Sequence, residues 1–166
     1  NFAYPPDNAG RGTDWKGYIE MDVTEQHQRP SLVWTDIKKP LNARQQEYFE
    51  KTLALAKEHG IPVMLVGFPN PDYANDHMYY NSLWNVAAQY GVEGVNYNDP
   101  DLRVRLAYSS DFADWQHLNV KGSVTFSRRL GSDLKEMYEL PDRRGEEAYA
   151  TWQQCADDWY AKFPDY

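Results

Sequence analysis

The sequence predicts an α/β domain built around a parallel sheet, and three observations carry that expectation. A compact apolar run, "IPVMLVGF" (61–68), and a shorter segment, "VEGVNYND" (92–99), have strand length and lie between chain breakers. Each follows a stretch whose apolar residues recur at helical spacing. Helix leading directly into strand, repeated, is the order of a covered parallel sheet, because a parallel neighbour is reached only through a crossover. A length of 166 residues gives one domain a substantial core and argues against a second independent one.

Residues 1–40 read as mostly loop, since Pro5, Pro6, Gly10, Gly12, Pro30 and Pro40 interrupt the backbone too often for long elements. Within them "WKGYIEM" and "SLVWTDI" mix aromatic and β-branched residues and read as short extended segments. A helix follows with signals at both ends: Asn42 as cap, Gln45 three residues on, and Gly60 past the last turn. Phe49, Leu53 and Ala56 form its apolar face. "IPVMLVGF" carries a proline only near its start and reads as a strand buried on both faces.

"NPDYANDH" (70–77) reads as a loop, and residues 76–90 as a helix with Tyr80, Trp84, Val86 and Ala87 before Gly91. "VEGVNYND" is the next, shorter strand. "LRVRLAY" (102–108) alternates like a strand, but Leu102 and Leu106 suit a helical turn equally, and both readings stand. From Val120 to about Tyr138 a helix capped by Asn119 carries Val120, Val124, Leu130, Leu134 and Met137 on one stripe. Pro141 and Arg143-Arg144-Gly145 break the chain. An amphipathic helix over 146–163, with Tyr149, Trp152, Ala156, Trp159, Tyr160 and Phe163 on one side, closes it. The organisation expected is therefore residues 1–140 as the domain and 141–166 as a terminal helix packed on it, on a missing segment or on a partner.

Charge and composition narrow the function. Seventeen Lys and Arg against 25 Asp and Glu give a net charge of -8, and the basic pairs are scattered, so nucleic acid is not an expected partner. Thirteen Tyr and six Trp suit core and rim packing, or a surface that stacks on sugar rings or protein. A single cysteine, Cys155, excludes an internal disulfide and a cysteine-based zinc site. No stretch reaches the ~18 apolar residues of a membrane span. The four histidines show no ligand-like spacing, so no metal is expected, and His59 suits the negative end of a helix.

The chemistry points to "DFADWQHLNVKG" (111–122). Asp114 and His117, three apart in a turn before a helix, can project the same way, so that the carboxylate accepts from imidazole Nδ1 and leaves Nε2 facing a pocket. That is a general base with its orienting group, although the same spacing also arises in plain capping loops. "NPDYANDHMYY" combines Asp72, Asp76 and His77 with Tyr73, Tyr79 and Tyr80, as either a carbohydrate platform or a helix start with rim aromatics.

The block "DFADWQHLNVKGSVTFSRRLGSDL" resembles the last block of the SGNH (GDSL-like) hydrolase superfamily, in which Asp-x-x-His is followed by Leu-Asn, a glycine and an amphipathic helix. The preceding helix–"IPVMLVGFPNP"–helix–"GVEGVNYND" order is similar to the second half of that fold. The resemblance covers roughly residues 15–138 and is nearest the cell-envelope branch that serves teichoic-acid D-alanylation and exopolysaccharide acetylation. It implies a three-layer α/β/α, flavodoxin-like parallel sheet. It gives Asp114 and His117 the roles of triad aspartate and histidine, and Asn119 a structural role.

The family's nucleophile, a serine in a Gly-Asp-Ser-like turn after the first strand, has no counterpart before residue 40. Ser31, Ser82, Ser109, Ser110, Ser123, Ser127 and Ser132 all lie in other settings, and Asn70 does not sit in an oxyanion-hole block. The expectation is a domain lacking its N-terminal strands, inert alone, and anchored at the cell envelope through a segment outside it. The activity the resemblance implies is serine esterase or O-acyltransferase action on a cell-surface polysaccharide or an acylated small molecule, with no cofactor. The alternative is a non-catalytic glycan- or protein-binding domain on the same scaffold.

Overall fold

The computed structural model describes residues 15–31, 33–102 and 104–166, and of Asn75 the backbone alone. Among the described residues, helices and strands follow in the order α1 (Ala43–Glu58), β1 (Met64–Gly67), α2 (Tyr73–Gln89), β2 (Glu93–Asn96), α3 (Val120–Met137) and α4 (Ala150–Lys162), with a 3-10 turn at Glu147–Tyr149 leading into α4. The protein is thus mixed α/β. β1 and β2 pair in parallel, Met64 opposite Glu93 and Gly67 opposite Asn96, with α2 as the crossover.

Alternation along the strands puts Val66 and Val95 on one face and Leu65 and Gly94 on the other. Val66 and Val95 pack on the main core of Tyr97, Val104, Leu106, Phe112, Leu118 and Phe126. Phe126 brings α3 to this face, with its ring 5.1 Å from Tyr97 and 4.3 Å from Phe68. α2 covers the opposite face so closely that a Cβ on Gly94 would fall 2.5 Å from Trp84 and 2.7 Å from the Leu65 carbonyl oxygen. Helices therefore lie on both faces of the strand pair.

α1 starts as its sequence indicates: Asn42 Oδ1 accepts from the Arg44 and Gln45 amides at 3.0 and 3.3 Å, satisfying two N–H groups that lack helical partners. Leu53 is its buried residue. β1 differs from expectation. Met64, Leu65 and Val66 are only half-buried and Gly67 alone is buried, because a two-stranded sheet gives each strand one neighbour and leaves its other side open.

The loop expected over 70–77 ends at Asp72, and α2 begins at Tyr73 rather than 76. Tyr73 is 1% exposed, and its hydroxyl lies 3.0 Å from His77 Nδ1 one turn on and accepts from Asn96 Nδ2 at 2.5 Å, which fixes that turn as helix. Around "LRVRLAY" neither reading applies to the described residues: Leu102 lies in a turn, and Val104 and Leu106 are buried alternately without strand pairing. Arg103 lies outside the described residues. The final α-helix starts at Ala150 instead of 146, and no residue of it is buried.

Of the expected N-terminal loop, residues 1–14 with Pro5, Pro6, Gly10 and Gly12, and Leu32 of "SLVWTDI", lie outside the described residues. From Trp15 to Pro40 no described residue forms a strand, yet the segment is tied down. The Glu25 amide donates to Phe112 O at 3.0 Å, the His27 amide to Tyr108 O at 2.9 Å and the Val120 amide to Met21 O at 3.2 Å. Farther on, Asn81 Nδ2 of α2 donates to Thr35 O at 2.7 Å and Ile37 O at 2.9 Å.

Candidate functional site

The loop from Ala107 to Asn119 is organised by one buried carboxylate. Asp111 Oδ2 accepts from the Ala107 amide at 2.8 Å, and Oδ1 accepts from Ser110 Oγ at 2.8 Å and pairs with Lys121 Nζ at 2.7 Å. Burial pushes the Asp111 carboxyl up, but the hydrogen bonds and the Lys121 charge outweigh it and hold the group below its ordinary value. Asn119 then locks the far end. Its Oδ1 caps α3 through the Gly122 amide at 3.0 Å, while Nδ2 donates to Thr24 Oγ1 at 3.1 Å and Ser110 O at 2.8 Å. Gly122 is required here because a Cβ would lie 2.0 Å from Asp111 O.

Between these anchors the chain doubles back. Phe112 and Leu118 form an antiparallel bridge and the Ala113 amide donates to His117 O at 2.9 Å, closing a tight turn over 113–117. Both members of the expected pair sit on it. His117 Nδ1 lies 3.0 Å from Asp114 Oδ1 and 2.9 Å from Oδ2, and Oδ1 also accepts from the Gln116 and His117 amides at 2.7 and 2.8 Å. The Gln116 amide, then the His117 ring, lower the Asp114 carboxyl's pKa, so it is ionised at neutral pH. The His117 side chain is 60% exposed and its Nε2 makes no hydrogen bond to a described residue. A neutral ring carrying its proton on Nδ1 therefore turns a free Nε2 lone pair outward.

Trp115, between the two, is exposed and lies 4.4 Å from the ring of His27. The His27 side chain is 1% exposed, edge-on to Phe112 at 6.1 Å, with both ring nitrogens unbonded and Glu25 Oε1 at 3.7 Å. This residue, weighed in the sequence only as a metal ligand, is the floor of the dyad turn.

The other singled-out residues do not converge on His117. None of the described serine hydroxyls bonds to it: Ser82 Oγ donates to Lys39 O, Ser110 to Asp111 and Ser123 to Val120 O. The Asn70 amide donates to Asn98 Oδ1, joining the loop after β1 to the loop after β2, and Asn70 Oδ1 accepts from the Asp72 amide within its own loop. The residues of "NPDYANDHMYY" do not form one platform. Tyr73 and His77 are buried, His77 Nε2 lies 2.8 Å from Thr35 O, and Tyr79 faces outward with Lys39 5.3 Å from its ring. Among the described residues no group of three His, Cys, Asp or Glu side chains could hold a metal.

A cavity of about 200 Å³ that no sequence pattern announces lies beyond the carboxyl ends of β1 and β2, where open parallel sheets collect ligands. Its walls come from separated stretches, among them Arg29, Trp34, Tyr73, Asp99 and Tyr108, and no local pattern links them. Asp114 and His117 lie outside its lining.

Compared with known proteins, the chain matches no described family, no curated protein and no solved structure. Among the described residues no helix is long and apolar enough to cross a membrane.

Proposed function

We propose that the chain carries the general-base half of a serine esterase or O-acyltransferase of SGNH type, in a three-layer α/β/α domain whose substrate is an acylated cell-surface glycan or teichoic-acid-like polymer. The carrying observation is the Asp114–His117 pair. A carboxylate anchored by two backbone amides grips Nδ1 and leaves Nε2 unbonded and solvent-facing. The helices on both faces of the parallel strands and the residues of "DFADWQHLNVKG" support the same reading.

In this reading a serine hydroxyl from outside the described residues gives its proton to His117 Nε2 as its oxygen attacks the ester carbonyl. Asp114 stabilises the imidazolium, which returns the proton to the departing alkoxide. Water, or an acceptor hydroxyl in transfer, then cleaves the acyl-enzyme with the same base. Without that serine the residues described here do not hydrolyse esters.

The test is turnover of an O-acetylated oligosaccharide by the product of the complete reading frame. His117→Ala lowers kcat about 1,000-fold or more, as for loss of a triad histidine, with an unchanged circular-dichroism spectrum. Unchanged turnover removes the base role.

A second reading, a non-catalytic glycan- or protein-binding domain, is favoured by the absence of any described serine hydroxyl bonded to His117 and by the exposure of Trp34, Trp115 and Trp152. Ligand binding that survives His117→Ala, in a full-length product without esterase activity, supports it.

A further inference from the structure

The cavity beyond β1 and β2 has an apolar floor and a charged rim. Tyr73, Tyr97, Val104 and Leu106 are each at most 7% exposed, and both phenol hydroxyls are engaged within the protein. Tyr97 Oη donates to Asp133 Oδ2 at 2.6 Å, and the Tyr73 hydroxyl accepts from Asn96 Nδ2. The floor therefore offers ring surface.

On the rim, Trp34 is 43% exposed, Asp99 keeps one carboxylate oxygen on the Asp101 amide at 2.8 Å, and the Arg29 guanidinium lies 5.3 Å over the ring of Tyr108. No described carboxylate stands within ion-pair distance of Arg29, in a chain that holds 25 acidic residues for 17 basic ones. An aromatic face positions this cation and leaves its donor fork without an anion.

We propose that this cavity binds a single pyranose ring bearing an anionic group, a carboxylate or a phosphate. The Arg29 fork takes two oxygens of the anion, the geometry that distinguishes guanidinium from ammonium. Trp34 stacks on the C–H face of the sugar, and Asp99 accepts from its hydroxyls. A volume of about 200 Å³ suits one ring rather than an oligosaccharide, so a longer acidic glycan would enter by one residue. The assignment does not rest on the acyl-transfer reading, because neither Asp114 nor His117 lines the cavity.

Calorimetric titration of the full chain with glucuronate, glucose 1-phosphate, glucose, benzoate and inorganic phosphate tests it. At least one of the two acidic sugars binds about tenfold or more tightly than glucose, benzoate and phosphate, and whichever binds identifies the anion. Arg29→Ala abolishes that preference, Arg29→Lys restores part of it, and Trp34→Ala weakens the acidic sugar and glucose alike. His117→Ala leaves all of these affinities unchanged, which separates this site from the dyad. Arg29 is exposed, so thermal melts of its variants match the parent; Trp34 lies 4.5 Å from the ring of the buried His77, so Trp34→Ala melts lower, and its circular-dichroism spectrum at the titration temperature shows that the fold is kept. Equal affinity for glucose and both acidic sugars, binding of benzoate or phosphate as tight as theirs, or no binding by either acidic sugar overturns the proposal.

Discussion

At the residue scale, Asp114 decides where the His117 proton resides. Free imidazole in water populates both tautomers, whereas a carboxylate held by the Gln116 and His117 amides selects the Nδ1–H form. In ¹⁵N spectra above the imidazole titration range, Nδ1 carries the proton in the parent, and Asp114→Asn loses that preference; a predominantly Nε2–H ring in the parent would show that the acid does not orient it. The spacing in "DFADWQHLNVKG" made this pair legible, because three residues in a turn leave little choice of direction. What spacing could not convey was that Nε2 opens to solvent and not into the cavity beyond the strands, since that depends on segments distant in sequence; the want of a nucleophile was already legible in the settings of the serines. Asp111 makes a separate prediction. Its folded pKa is lowered, so its contribution to stability is complete above the unfolded carboxylate value of about 3.9 and disappears as pH falls through the folded value. Asp111→Asn therefore costs about 1–3 kcal/mol in urea unfolding at pH 7, and the difference from the parent shrinks toward pH 3.

At the element scale, α3 is fastened at two places, its first turn against the Asp111 loop and Phe126 in the main core. Gly122 lets the helix start pass against the Asp111 carbonyl, so Gly122→Ala must displace either α3 or the dyad loop, at a cost of roughly 3 kcal/mol or more in urea unfolding. Gly131, on the same helix with open space at its Cβ position, behaves oppositely: Gly131→Ala is neutral or stabilises by up to about 1 kcal/mol. Helical periodicity located α3, α1 and α2 in the sequence because each buries one stripe. It gave no warning that Phe126, outside the expected stripe, is as deeply buried as Val120 on it, or that Met137 on the stripe is exposed. The start of α2 was misplaced for a similar reason. Tyr73 is drawn into the helix by Asn96 and His77, and a partner 23 residues away leaves no local signature.

At the scale of the whole molecule, the parts differ in how firmly they are held. α4 buries no residue, with Trp152 and Tyr160 each 56% exposed, and is tied through surface contacts such as Lys16 Nζ to Thr151 Oγ1 and Lys162 Nζ to Glu20 Oε1. Exposed pairs of this kind contribute little, so amides of α4 exchange with deuterium well before those of α3, as mass spectrometry of peptic fragments would show; equal protection would mean that the terminal helix is part of the core. The expected division at residue 140 thus acquires a measurable form. The strand pair carries the last consequence. Parallel pairing uses only one side of β1 and one side of β2, and apart from Asn96 O, which accepts from the Asp99 amide at 3.0 Å, no described residue bonds the outer backbone groups of either. Amides and carbonyls aligned in this way are a template for any extended chain that arrives, so at high concentration self-association through these strands competes with the monomer.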